Sequence, residues 1–266
     1  MDEFEKTEKR GRSMTWIIPN MITTLALCSG LTAIRSAMDQ NWEHAVVFVV
    51  AAGFLDAFDG AIARALNATS KLGAKLDSIS DFVSFGVAPI ILLYLWGLKG
   101  TGGFGWVVVL VFCICNALRL SRFHDAQSSL PEQVSDFWIG VPTPAGSALL
   151  MFPIIIHLQF PSFNADTLAM KIGVCVWAII VGGLMISRLP TYSIRSMKIT
   201  QSSGIFVLLS CGLFVGSLVN ETWYTLQFLI SLYIISLFVS YRHFKKLVNE
   251  HGTSDNEKSN ASEKNN

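Results

Sequence analysis

The stretch Asp56-Ala57-Phe58-Asp59-Gly60-Ala61-Ile62-Ala63-Arg64, followed after eight residues by Gly73-Ala74-Lys75-Leu76-Asp77-Ser78-Ile79-Ser80-Asp81, sets four aspartates at the edges of two apolar runs. The spacing is helical. Asp56, Asp59 and Ala63 share one helix face with Gly60 beside them, and Gly73, Asp77 and Asp81 form an i, i+4, i+8 row on the next helix. The intervening residues can turn the chain so that the two acidic faces meet. Each carboxylate costs about 2.5 to 3.5 kcal/mol at mid-membrane on insertion scales, so four without partners would be a heavy penalty. Divalent cations would relieve it, and carboxylate oxygens are the ligands that Mg2+ and Mn2+ prefer. Pairing with Arg64, Lys71 and Lys75 as buried ion pairs would supply three cations for four acids and leave Gly60 and Gly73 unexplained.

The setting of this motif is a membrane. With 52% hydrophobic residues, 15% charged residues and a mean hydropathy of +0.48, the chain is too apolar for an ordinary water-soluble domain of its 266 residues. Spans are expected near 16–38, 43–66, 77–98, 104–123, 142–160, 170–188, 203–219 and 222–241. Each is about long enough for a helix crossing a hydrocarbon core of roughly 30 Å. The expected fold class is therefore all-α, a polytopic membrane bundle of about eight transmembrane helices.

Lys and Arg orient it, because cytoplasmic loops carry the positive excess. Seventeen of the 20 lie before the first span or after the second, fourth, sixth and last spans; only Arg35, Lys99 and Lys171 fall on the other side. Both termini and the aspartate motif are thus expected in the cytoplasm. The first fifteen residues mix both signs and no small-residue cleavage site follows the first apolar stretch, so residues 1–15 read as a cytoplasmic segment before an uncleaved helix. Residues 16–241 form the membrane domain, and residues 242–266, rich in Asn, Ser, Glu and Lys toward the end, form a cytoplasmic tail expected to be disordered. Cys28, Cys113, Cys115, Cys175 and Cys211 all lie in apolar spans and read as small packing residues. The five histidines lack ligand spacing, and no nucleic-acid partner is expected.

The motif resembles the signature of the CDP-alcohol phosphotransferase family, integral membrane enzymes that join a CDP-activated group to an alcohol and release CMP. All eight signature positions match: Asp56, Asp59, Gly60, Ala63, Arg64, Gly73, Asp77 and Asp81. The resemblance implies two divalent cations, Mg2+ or Mn2+, held by Asp56, Asp59, Asp77 and Asp81, with Asp81 also the general base for the acceptor hydroxyl. Asp59, Gly60, Ala63, Arg64 and Gly73 would line the CDP-linked donor. The Ile18-Pro19-Asn20-Met21-Ile22-Thr23 segment resembles the family's start, where Asn20 and Thr23 would face the nucleotide; Asn20 reads equally well as a helix cap. A homodimer is implied by the family alone.

Three stretches resemble its phosphatidylserine synthase branch: Asn116-Ala117-Leu118-Arg119-Leu120-Ser121-Arg122-Phe123, Phe137-Trp138-Ile139-Gly140-Val141-Pro142-Thr143-Pro144-Ala145-Gly146 and Leu184-Met185-Ile186-Ser187-Arg188-Leu189-Pro190-Thr191-Tyr192. That branch implies CDP-diacylglycerol as donor, L-serine as acceptor, CMP as leaving group and the bacterial inner membrane as location. Arg119 and Arg122, three apart on one face, could hold the serine carboxylate, or anchor the helix as positive-inside residues. Pro142 and Pro144 are expected to shape the start of the fifth span. Two alternatives stand beside this reading. One is another acceptor, such as glycerol phosphate, inositol phosphate or choline; the other is a cation- or proton-coupled transporter, since intramembrane acids often mark ion paths.

Overall fold

Small side chains decide how the first two helices meet. α1 (Ile17–Met38) buries Pro19, Thr23, Ala26, Gly30, Ala33 and Ala37, a stripe stepping by three or four residues. α2 (Trp42–Ala65) answers with Ala45, Val46, Val49, Ala52 and Asp59. In lipid, where apolar surface gives little drive for helices to associate, such stripes allow the close backbone approach from which packing energy comes. Ser29 Oγ also donates across the pair to the Phe48 carbonyl at 2.7 Å. A tight turn joins the helices, with Gln40 at φ 59° and Asn41 capping α2 by accepting from the His44 N–H at 3.2 Å.

The computed structural model describes residues 17–66, 70–126, 137–163, 167–187, 190–192, 216–218, 220–237, 239–240 and 242. α3 (Lys71–Asp81) starts at Ser70, whose side chain accepts from the Gly73 N–H at 2.9 Å. The same helix runs on through a π segment (Phe82–Val87), α4 (Ala88–Leu93), a second π segment (Tyr94–Leu98) and a final 3-10 turn, Lys99–Thr101. The span expected to begin at 77 therefore begins about a turn and a half earlier. Its polar first turns lower the hydropathy of that window, but the serine cap and continuous backbone bonding make them one helix with the apolar part. Two serines fasten it to α1: Ser80 Oγ donates to the Thr23 carbonyl at 3.2 Å and Ser84 Oγ to the Ala26 carbonyl at 3.1 Å.

Gly102, at φ 65°, turns the chain into α5 (Gly103–Ala126). α6 (Thr143–Gln159) is capped by Pro142 with Pro144 in its first turn, as expected for this pair, and packs against α2, α4 and the first π segment. Pro153 inside α6 has no N–H for the Leu149 carbonyl. Trp177 Nε1 of α7 (Leu168–Ile186) supplies that missing donor at 2.8 Å. Gly182 of α7 lies against Phe112 and Cys115 of α5.

Among the described residues, five helices are long and apolar enough to cross a membrane: Ile17–Met38, Trp42–Ala65, Leu72–Thr101, Gly103–Arg122 and Leu168–Ile186. Thr143–Gln159 and α8 (Thr222–Leu237) are shorter apolar helices. Leu25, Phe58, Trp106, Ile114 and Ile179 are among many large apolar side chains on the outer surface, as a lipid-facing surface requires. The chain is an integral membrane protein. Most of the span expected at 203–219 lies outside the described residues, as do residues 1–15 and most of the tail.

Residues up to His124 together with Pro142–Met185 form one compact unit, and Asp125–Val141 with Ile186–Asn266 a second. The second unit carries α8 and a departure from the all-α expectation, a short antiparallel ribbon pairing β1 (Phe137–Ile139) with β2 (Pro190–Tyr192), Trp138 opposite Thr191. Both strands fall in the second and third of the stretches that resemble the serine-accepting branch.

Candidate active site and metal centre

Asp56 and Asp59 enter from α2 and Asp77 and Asp81 from α3, so the site is a meeting of two helix faces beside the first turns of α1. Asp56, Asp59 and Asp77 each offer a carboxylate oxygen, and the three oxygens lie within 4.8 Å of one another. Asp81 joins them through a side-chain hydrogen bond with Asp56, while its Oδ1 is buried without a hydrogen-bond partner among the described residues. The helical arithmetic of the sequence is borne out: Asp59 is buried and Asp56, Gly60 and Ala63 are half-buried along the same side of α2.

The residues present fit a divalent cation. Three hard oxygen ligands from two rigid helices converge, and a fourth carboxyl with a spare buried oxygen stands next to them. Like charges at this separation repel strongly in a low dielectric, so the cluster needs cations or protons to persist. Arg64 is exposed; its Nη1 lies 3.5 Å from where a Cβ on Gly60 would stand, so its guanidinium folds back along α2 over the glycine.

α1 holds the cluster from the side. Thr23 is 4% exposed and its Oγ1 lies 2.5 Å from Asp59 Oδ2 and 3.1 Å from the Pro19 carbonyl. Asn20 lies within α1 and does not cap the helix. Its side chain reaches the start of α3, where a Cβ on Gly73 would stand 2.7 Å from Asn20 Oδ1 and 3.0 Å from Ser70 Oγ. Gly73 is thus needed by its neighbours within the protein. Asn20 Nδ2 is buried with no partner among the described residues, leaving a donor available at the rim of the acidic cluster.

On α5, Arg119 is half-buried and close enough for its charge to act on Asp81, whereas Arg122, three residues further along, is exposed. Asn116, to which the sequence assigns no role, is fully buried one turn before Arg119 with neither side-chain atom partnered among the described residues. The signal available was its position, since 116 and 119 share a helix face. Nothing in α1 and α2 taken separately aligns Thr23 with Asp59, so their pairing has no signal in the sequence.

Residues 16–187 match the CDP-alcohol phosphatidyltransferase family, and the chain belongs to it. Among similar proteins, a Mycobacterium leprae protein called CDP-diacylglycerol–serine O-phosphatidyltransferase is 32% identical over 82% of this chain and 72% of its own length. A Bacillus subtilis protein of the same name is 41% identical over 59% of this chain and 82% of its own length. A Mycobacterium tuberculosis protein of that name is 38% identical over 54% of this chain, and there the match spans 51% of the relative.

Proposed function

We infer that this chain transfers the phosphatidyl group of CDP-diacylglycerol to the hydroxyl of L-serine, releasing CMP. The observation that carries the reading is the convergence of Asp56, Asp59 and Asp77 within 4.8 Å, with Asp81 bonded to Asp56 and its Oδ1 without a partner among the described residues. Similarity to proteins named for the serine reaction, from bacteria of different groups, supports the acceptor.

In this reading Asp56, Asp59, Asp77 and Asp81 hold two divalent cations, Mg2+ or Mn2+, which when bound supply neutralisation of the diphosphate and of the departing CMP. Asp81 Oδ1 accepts the proton of the serine hydroxyl. The hydroxyl oxygen forms a bond to the phosphorus that carries diacylglycerol, and the bond from that phosphorus to the oxygen bridging to CMP breaks. Asn20, Thr23, Gly60, Ala63, Arg64 and Gly73 border the nucleotide, with Arg64 offering its planar fork to phosphate oxygens. Arg119 and Arg122 face the serine carboxylate. The finer topology follows the charge distribution: eight spans within residues 16–241, cytoplasmic segments at 1–15 and 242–266, and the active site at the cytoplasmic face of a bacterial inner membrane, in a homodimer.

An acceptor panel tests it. Purified protein with CDP-diacylglycerol and Mn2+ is expected to form phosphatidylserine and CMP from L-serine, with little product from glycerol phosphate, inositol phosphate or choline. Efficient use of glycerol phosphate would overturn the serine assignment, and no CMP release with any alcohol would favour a carrier.

A further inference from the structure

Asn116 is 0% exposed, and both its Oδ1 and its Nδ2 lack hydrogen-bond partners among the described residues. Buried side-chain amides are nearly always paired, so a doubly unpaired one asks what it meets when the protein works. Its surroundings answer in part. A Cβ on Gly86 would stand 2.9 Å from both Cγ and Nδ2 of Asn116, so the absent side chain at 86 admits the carboxamide against the π segment. In a π turn, residues five apart stack, which places Gly86 one turn from Asp81 on the same side. Asp81 Oδ1 is itself buried with no hydrogen-bond partner among the described residues.

The chain turns at Gly102, and the contacts of Tyr94 with Trp106 and of Gly86 with Asn116 show α5 running back alongside the helix that carries Asp81. Arg119, whose charge acts on Asp81, and Asn116, which touches Gly86, then sit at successive levels of one face. Asp81, Arg119 and Asn116 thus bring a proton acceptor, a cation and a neutral amide to neighbouring levels of two helices. A carboxamide offers a donor and an acceptor together. That combination suits a ligand that carries an ammonium and a carboxylate on one carbon.

We propose that Asn116 is a specificity-determining residue of the acceptor site, its carboxamide reading the amino and carboxylate groups of a small zwitterionic amino alcohol whose hydroxyl lies at Asp81. The proposal rests on the serine reading above and adds the group that recognises serine.

Steady-state kinetics of the full-length protein and of Asn116→Leu and Asn116→Asp would test it, with serine varied at saturating CDP-diacylglycerol and then the donor varied at saturating serine. In Asn116→Leu the KM for serine should rise about ten- to a hundredfold while the KM for the donor stays within about twofold. Thermal stabilisation by CDP-diacylglycerol and Mn2+, without acceptor, identifies variants that still fold and bind donor. Asn116→Asp keeps the shape and adds a negative charge. It should repel the serine carboxylate and raise the use of 2-aminoethanol relative to serine about tenfold or more. An unchanged serine KM in a donor-binding Asn116→Leu protein, or an unchanged 2-aminoethanol to serine ratio in Asn116→Asp, overturns the proposal. Failure of the native protein to use serine removes the reading beneath it, a result visible before any variant is made.

Discussion

Replacing Gly30 by alanine tests whether the site is held by backbone proximity. A methyl at this position would stand 2.6 Å from Ser84 Oγ and 2.8 Å from Ser84 Cα. The hydroxyl can rotate, but Cα is backbone in a π segment packed on α1. To reach an ordinary carbon–carbon contact of about 3.5 Å, the two must part by about 0.7 Å. Overpacking of this kind costs about 1 to 3 kcal/mol. The same movement stretches the bonds from Ser84 to the Ala26 carbonyl and from Ser80 to the Thr23 carbonyl, 3.1 and 3.2 Å in the native protein. Thermal unfolding of Gly30→Ala in detergent should come about 2 to 12 °C earlier. Activity should suffer too, because Asp77 and Asp81 ride on the displaced helix while Thr23 and Asp59 stay with α1 and α2. A misplacement of about 1 Å can cost on the order of 100-fold in rate. Gly183→Ala is the control: Gly183 is exposed on α7 and nothing lies within 4 Å of its missing side chain, so turnover should be unchanged and the midpoint should not fall, alanine being the better helix former. A Gly30→Ala protein with native midpoint and native turnover would refute the close contact between α1 and the π segment and the reasoning built on it.

Asp56→Asn, Asp59→Asn and Asp77→Asn should each abolish turnover while membrane insertion and the size-exclusion profile stay native, and EDTA should abolish native activity until Mg2+ or Mn2+ is restored; native turnover in any one variant contradicts the metal assignment. Asp81→Asn should lose about 10² to 10⁴ in rate as a missing general base, plus any loss from weaker metal binding. Its thermal stabilisation by CDP-diacylglycerol should survive better than that of Asp56→Asn, and equal loss in both would leave Asp81 no separate role. Trp177→Phe keeps the ring but leaves the Leu149 carbonyl unpaired beside Pro153. It should destabilise by about 1 to 3 kcal/mol, read as a lower thermal midpoint, with native turnover per folded molecule.

The sequence alone determined the class of molecule, because composition and the lengths of its apolar runs leave a lipid-embedded helical bundle as the natural solution for burying so much apolar surface. It also determined which carboxylates belong together. The spacings 56–59 and 73–77–81 are local properties of a helix, so each acidic row could be read before knowing where the helices lay. What it could not supply were relations between helices. That Asn20 reaches Gly73, that Thr23 bonds Asp59 and where α3 begins all depend on side chains and caps supplied by other parts of the chain. The π segment after Asp81 has no clear signature in a hydropathy window. It arises where Ser84, Gly86 and their partners on α1 and α5 fit together, and it brings Asn116 against the backbone one turn from Asp81. The acidic rows are a matter of helical period, legible in one dimension; the buried amide of Asn116 against Gly86 comes from two backbones approaching closely, and only the tertiary structure decided it.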